Sequence, residues 1–204
     1  MGTSQLAETA WRLFAEHGFD RVTVAEIARE AQVAEATVFN YFRTKEDLFY
    51  SQLEAFGARL VEAVATWAQG EPALAAFRRF LLDSGGLLGQ LEAGDPEALG
   101  RLRTVNRLIA ASPALQAREQ RAIATSTDAL AALLAAETGA PGGDVRPQVA
   151  ANALMGVHRA LIEHVRHRVL ADQDPTGLPA EVRALAEQAF VQLEHGLGDY
   201  AARR

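Results

Sequence analysis

The sequence predicts an all-α protein of about nine helices. Hydrophobic residues make up 49% of the 204 residues and charged residues 23%, a balance typical of a folded chain rather than a disordered one. Apolar residues recur three and four positions apart along most of the chain, which is the period of an amphipathic helix. Only seven prolines interrupt this pattern, and no stretch is typical of a strand-rich sheet.

Composition excludes several classes of protein. The chain has no cysteine, which rules out disulfides, a thiolate nucleophile and cysteine-based zinc sites. The longest apolar runs, such as residues 131–136, are far shorter than the roughly 20 residues that span a bilayer, and no signal-peptide pattern is visible. We therefore expect a cytoplasmic protein with no membrane partner and no cofactor.

The first two helices have clear boundaries. The first is predicted over residues 4–17, with Gly18 as its C-terminal stop. The second begins at Val24, because Thr23 and Glu26 form a capping box in which each side chain accepts from the other's backbone N–H.

The rest of the chain divides at turn-forming residues. After residues 32–34 a short helix is predicted from Glu35 to Tyr41, and Thr44 then caps one long helix over residues 45–69. Further breaks divide the remainder into about five more helices, and they lie at residues 94–96, 112–113, 139–143 and 174–179.

The block from Thr23 to Leu48 contains the most specific motif. Its pieces are, in order, Thr23, Ile27-Ala28, Val33, Thr37-Val38-Phe39, Tyr41-Phe42 and Lys45-Glu46-Asp47-Leu48. This order resembles the TetR family of repressors, in which a Thr-capped helix, a tight turn and a recognition helix with terminal aromatic residues precede a Lys-Glu-x-Leu helix start. The resemblance implies a three-helix helix-turn-helix DNA-binding domain over residues 1–50 and a helical ligand-binding and dimerisation domain over residues 51–204.

The predicted recognition helix has candidates for DNA contact. Such a helix enters the major groove N-terminus first, so its first two turns face base edges. Thr37 and Asn40 are the candidates for base contact, since an asparagine amide bonds an adenine edge bidentately. The resemblance implies that Phe39 and Tyr41 dock on the DNA and that Lys45, the only lysine in the chain, binds a phosphate. The predicted residues that bind the double-stranded operator are Thr23, Ala25, Glu35, Ala36, Thr37, Phe39, Asn40, Tyr41 and Lys45.

Some features depart from the family pattern or weaken the DNA-binding interpretation. Gln32 stands where the family usually has glycine, and Ala34 stands where a serine usually caps the recognition helix. The net charge is −6, and residues 1–50 hold five Lys/Arg against eight Asp/Glu, so any basic surface must be local. Few residues precede the first helix, so we expect the basic N-terminal arm of many relatives to be absent or removed.

The last two amphipathic helices, over about 145–171 and 179–200, predict either an intramolecular core or a contact with a second chain. The resemblance implies a homodimer, in which these helices form a four-helix bundle and set two recognition helices about 34–36 Å apart. The predicted dimer-interface residues are Leu154, Leu161, Val165, Leu185, Ala189, Leu193 and Leu197.

Apolar residues between these two regions predict either a ligand cavity or an ordinary core. Residues 149–166 resemble the subgroup whose C-terminal domain binds acyl-CoA-like ligands. We therefore expect a small-molecule inducer, an acyl-CoA-like compound being one candidate. The candidate ligand-binding residues are Phe77, Phe80, Leu81, Arg103, Arg107 and His158.

The histidines of residues 158–167 suggest a helical enzyme as an alternative. His164 and His167 lie one turn apart beside Glu163, but the spacing is not HExxH and no third metal ligand is suggested. We therefore predict no metal site, no catalytic residue and no enzymatic activity. A rival from another class is a helical adaptor that keeps the domain as a scaffold, which the acidic N-terminal residues favour.

Overall fold

A computed structural model describes residues 3–51, 55–68, 70–82, 96–171 and 177–197. Within these ranges it contains helices and no β-strand, which confirms the all-α prediction. The helices are α1 (Thr3–His17), α2 (Val24–Glu30), α3 (Glu35–Tyr41), α4 (Lys45–Tyr50), α5 (Ala55–Ala65), α6 (Ala73–Leu82), α7 (Pro96–Ala111), α8 (Pro113–Thr138), α9 (Arg146–Leu170) and α10 (Leu178–Leu197).

Most predicted boundaries agree with the structure, and the main difference lies after Tyr50. The predicted helix over residues 45–69 corresponds to α4 and α5, and the junction at 52–54 lies outside the described residues. At the end of α4, the Ser51 hydroxyl donates to the Leu48 carbonyl oxygen at 2.8 Å. Such a side-chain bond competes with helix propagation, whereas apolar spacing continues across the junction. The described part of the chain therefore contains ten helices instead of about nine.

The chain forms two compact units whose boundaries only partly follow the predicted domains. The first unit comprises Met1–Ala55 and Thr104–Gln120, and the second comprises Phe56–Arg103 and Arg121–Arg204. The predicted boundary after residue 50 lies close to the first division. The sequence did not indicate that residues 104–120, the end of α7 and the start of α8, belong to the first unit.

An aromatic cluster forms the core of the first unit. Phe14, Phe19 and Phe49 are almost completely buried, with ring centroids 5.0 to 6.0 Å apart. Trp11 stacks on Phe49 at 5.2 Å. Gly18 ends α1 with a φ of +85°, a backbone conformation that favours glycine. This turn lets Phe19 pack against α1, so the predicted stop at Gly18 is confirmed.

Residues 104–120 contribute both apolar and polar contacts to the first unit. Leu115 is fully buried in its core, and its carbonyl oxygen accepts from the Tyr50 hydroxyl at 3.1 Å. The Ser112 hydroxyl donates to the Asp20 carboxylate at 2.7 Å, and the Arg118 guanidinium donates to Asp47 at 3.1 Å. These contacts connect residues more than 60 positions apart in sequence, so sequence periodicity alone could not reveal them.

In the second unit α10 packs against both α9 and α6. Phe77 on α6 and Phe190 on α10 are fully buried, with ring centroids 6.2 Å apart. Ion pairs stabilise the same packing, because Arg78 on α6 contacts both Glu187 and Glu194 on α10. In none of the described segments is a helix long and apolar enough to cross a membrane.

The one buried histidine among the described residues is His158 on α9. Burial lowers the pKa of its imidazole to about 4, because the charged form loses its hydration in the core. His158 is therefore neutral in the folded protein near pH 7. A buried neutral imidazole makes folding sensitive to acid, since the unfolded chain binds the proton more tightly.

We expect His158→Gln to reduce the acid sensitivity of the free energy of unfolding. The folded pKa of His158 lies below the unfolded value of 6.5. The neutral His158 imidazole therefore makes its full contribution to the free energy of unfolding above about pH 6.5. This contribution is lost as the pH falls toward 4, and the loss is about 2 kcal/mol between pH 7 and pH 5. Urea denaturation of wild type and variant at both pH values measures the difference. Equal pH dependence in the two proteins would contradict the assignment.

Candidate nucleic-acid interface

The capping box at the start of α2 is present as predicted. The Thr23 hydroxyl accepts from the Glu26 backbone N–H at 3.2 Å, and Glu26 accepts from the Thr23 backbone N–H at 2.7 Å. The hydrogen bond from the Thr23 backbone N–H is the main cause that lowers the pKa of Glu26, and the bond from the Thr23 hydroxyl is the second cause. The Thr23 hydroxyl proton is directed at Glu26, so a phosphate contact by Thr23 would require another donor or a rearrangement.

The turn between α2 and α3 is a Schellman motif. The Val33 N–H donates to the Ala28 carbonyl oxygen at 2.9 Å, and the Gln32 N–H donates to Arg29 at 3.1 Å. This pattern requires a left-handed residue after the helix cap, and Gln32 has a φ of +57°. Glycine adopts this conformation without steric cost, whereas glutamine does not. The sequence departure at Gln32 therefore corresponds to local backbone strain.

The helix α3 presents an exposed face beyond this turn. Phe39 and Tyr41 are 49% and 55% exposed, although large aromatic side chains usually lie in a core. Asn40 is also exposed, while Thr37 is half-buried. Val38 is buried and Phe42 packs against the first core. The opposite faces of α3 thus separate a packing surface from a surface open to a ligand.

Four further predicted DNA-binding residues are all exposed. Thr23, Ala25, Glu35 and Ala36 are exposed. Ala34 caps α3 without a side-chain hydrogen bond, so the missing cap expected from the sequence is confirmed.

Lys45 has an internal contact that the sequence did not indicate. Its half-buried ammonium donates to the carbonyl oxygens of Phe19 and Val22 at 2.9 and 3.0 Å and lies 4.2 Å from the Phe19 ring centroid. Hydrogen bonds with a charged partner each contribute about 1.5–3 kcal/mol. Two of the three ammonium donors are therefore directed into the protein, where they connect the first turn of α4 to the loop between α1 and α2.

The candidate ligand-binding residues do not all lie in one unit. Phe77, Leu81 and His158 are buried in the second unit, and Phe80 packs against its core. Arg103 is half-buried at the boundary of that unit, whereas Arg107 is exposed and belongs to the first unit. The structure thus brings the apolar candidates together around one core, whereas Arg107 belongs to the other unit.

The candidate dimer-interface residues lie mainly in the core of their own chain. Leu154, Leu161 and Val165 are 2 to 4% exposed, so they have no surface to offer a second chain. Leu185, Ala189 and Leu193 pack partly against the same core, and the side chain of Leu197 lies outside the described part. The intramolecular alternative therefore describes these stripes, because each helix buries its more apolar face within the single chain.

The histidine segment is distributed over different environments. His158 is buried, His164 pairs with the Glu181 carboxylate at 2.9 Å, and His167 is exposed. Arg168 contacts the same carboxylate of Glu181. His164 is thus part of a hydrogen-bonded network between α9 and α10.

Two family sequence patterns match this chain. One, described as bacterial regulatory proteins of the tetR family, matches residues 6–51. The other, described as the MftR C-terminal domain, matches residues 86–198, which is more than half of the chain.

Two related proteins and one solved structure are also similar to this chain. The protein named as the mycofactocin biosynthesis transcriptional regulator MftR of Mycobacterium tuberculosis is 29% identical over 162 residues, 78% of this chain and 77% of that protein. The HTH-type transcriptional regulator LuxR of Vibrio harveyi is 57% identical over 44 residues, 22% of each chain. The solved structure of NalD, the secondary repressor of the MexAB-OprM multidrug efflux pump in Pseudomonas aeruginosa, has a similar fold. It aligns over 93% of this chain and 95% of its own, with a TM-score of 0.60 and 20% identity. These proteins are named as regulators and not as enzymes.

We expect Gln32→Gly to stabilise the protein by about 1 kcal/mol. The substitution removes the cost of a left-handed non-glycine residue, which exceeds the entropy that glycine adds to the unfolded chain. Urea denaturation measures the gain. Gln32→Ala is the matched control, because it removes the side chain but keeps the Cβ atom. An equal gain in the control would show that the backbone conformation is not the cause.

Proposed function

The chain belongs to the TetR family of bacterial regulatory proteins, and on this premise we propose that it represses transcription as a homodimer on a palindromic operator. The proposal includes release of the operator when a small apolar or acyl-type molecule binds the second unit. One observation carries the proposal: α3 exposes Phe39, Asn40 and Tyr41 together while Val38 anchors it in the core. Exposed aromatic and amide groups on one short helix suit contact with base edges and the sugar-phosphate backbone.

The two predicted domains have different proposed functions. Residues 1–50 would bind DNA, and residues 51–204 would provide the ligand-binding and dimerisation functions. Thr37 and Asn40 would contact bases, with Phe39 and Tyr41 docking beside them. The other proposed DNA-facing residues are Thr23, Ala25, Glu35 and Ala36.

Asn40→Ala should relax the sequence preference of the protein. A bidentate amide contact discriminates between bases by about 1–3 kcal/mol, which is about 5- to 150-fold in relative affinity. Selection of duplexes from a randomised library by wild type defines the preferred site, and fluorescence anisotropy then compares single-base variants of that site.

Gln120→Ala is the matched control for this experiment, because Gln120 is an exposed amide of the same unit outside α3. We expect it to leave the preference unchanged. An Asn40→Ala variant that keeps the full preference at every position would remove Asn40 from the proposed readout. If the wild-type protein binds no duplex at all, this result would instead contradict the proposed repressor function and favour the helical adaptor.

The proposed dimer would use the exposed faces of α9 and α10 instead of their buried stripes. On α9 the exposed stripe includes Val149, which is 59% exposed, together with Gly156 and Ala160. On α10 it includes Ala184 and Val191. These positions are four or seven residues apart, so they share one side of each helix. Small and aliphatic residues permit two helix pairs to approach closely.

We expect Gly156→Arg to convert the dimer to a monomer. A Cβ atom at Gly156 meets no other atom within 4 Å, and arginine favours a helix over glycine, so the single chain should remain folded. In a two-fold interface the substitution would bring two like charges and two long side chains together. Sedimentation velocity measures the mass, and Ala124→Arg on the exposed face of α8 is the matched control. A dimeric Gly156→Arg protein would exclude this face.

The proposed ligand would bind in the second unit near Phe77, Leu81 and His158, with Phe80 beside them. A cation such as Arg103 would meet an anionic group of an acyl-type ligand. An allosteric coupling of about 1–3 kcal/mol would change operator affinity roughly 5- to 150-fold. Besides the connection after Ala55, α7 and α8 each contribute residues to both units, so they offer two further covalent routes for this coupling.

A further inference from the structure

Two basic side chains follow the recognition helix, and the structure gives them different surroundings. Lys45 is half-buried, with its ammonium directed at the carbonyl oxygens of Phe19 and Val22. Arg43 is exposed, and within the described ranges it has no hydrogen bond or ion pair with the protein. Lys45 has one ammonium N–H left for a new anion, whereas the exposed guanidinium of Arg43 has all of its N–H donors available.

We propose that Arg43 is the principal phosphate-binding cation beside α3, and that Lys45 is a positioning residue that holds α4 on the loop between α1 and α2. This inference rests on the proposed DNA binding and reverses the order of importance that the sequence suggests for the two side chains. Arginine binds phosphate well because its planar guanidinium donates two parallel hydrogen bonds.

Arg43 comes directly after the residue at the end of α3 that packs on the core. Phe42, the C-cap of α3, has an extended conformation with φ −131° and ψ 120°, and its ring packs against the first core. Arg43 is exposed and lies two residues after the exposed ring of Tyr41.

Four other arginines of the first unit have carboxylates nearby. Arg12 contacts both Glu16 and Glu30, and Arg118 contacts Asp47. Arg21 and Arg29 line a cleft of about 210 Å³ between α1 and α2. The carboxylates of Glu26 and Glu30 line the same cleft, and its other lining residues are Leu13, His17 and Val22. Carboxylates beside these guanidinium groups repel a phosphate and reduce its attraction. Within the described ranges, Arg43 has no ion pair with a carboxylate.

The salt dependence of DNA binding tests the assignment. Counterion release makes the logarithm of the binding constant fall with the logarithm of salt concentration, by a slope of about 0.9 for each phosphate neutralised. Fluorescence anisotropy measures binding of the 204-residue chain to a mixed-sequence duplex of about three helical turns, between about 50 and 200 mM salt. The variants are Arg43→Gln, Arg43→Lys, Lys45→Met and Arg29→Gln, the last as a matched exposed arginine.

Arg43→Gln should lower the slope by about 0.9 per subunit, or about 1.8 for a dimer. Arg43→Lys should restore it, since the slope depends on charge. Arg29→Gln should keep the wild-type slope. Lys45→Met should also keep it but unfold at a lower temperature, because it removes two internal hydrogen bonds.

Two results would overturn the proposal. An Arg43→Gln protein with the wild-type slope would do so, and so would a larger loss of slope in folded Lys45→Met than in Arg43→Gln. Neither result contradicts the proposed repressor function, because the wild-type protein still binds DNA in a salt-dependent manner. Wild type without any salt-dependent binding would instead contradict the proposed function itself.

Discussion

The exposed surface of α3 depends on the tight turn that joins it to α2. Two backbone hydrogen bonds close this turn, and they fix the direction in which α3 leaves. Gln32 adopts a left-handed conformation to allow it, at a cost of about 1–2 kcal/mol. The cost is tolerated because the buried side chains of Ile27 and Val38 hold both helices on one core. The packing of α2 and α3 on one core therefore determines the conformation of the turn, and Gln32 adopts the backbone angles that this conformation requires.

Net charge is a poor guide to the electrostatics of the first unit. Residues 1–50 are acidic, yet several carboxylates are engaged within the protein. Glu26 completes the capping box, Glu30 contacts Arg12, and Asp47 contacts Arg118. A carboxylate that is hydrogen-bonded to a backbone N–H or paired with a guanidinium repels a distant phosphate less than a free one. The local distribution of unpaired charge thus matters more than the total.

Sequence reasoning was most accurate where local chemistry decides the structure. The capping box, the Gly18 stop and the limits of α3 depend on residues within about one helical turn of each other, and all three were predicted. The environment of Lys45 was not, because its partners Phe19 and Val22 are more than 20 positions away. No local pattern distinguishes a lysine that faces solvent from one that reaches back to a distant carbonyl group.

The same limit explains the outcome for the last two helices. Periodicity shows that a helix has an apolar face, but it does not show whether the cover comes from the same chain or from another. In α9 the strongest stripe, with Leu154 and Leu161, is covered by the second unit itself. The opposite stripe, with Gly156 and Ala160, has smaller side chains and weaker apolar character, so a sequence profile ranks it lower. A face suited to close helix contact needs small side chains rather than large apolar ones, and hydrophobic periodicity does not measure that property.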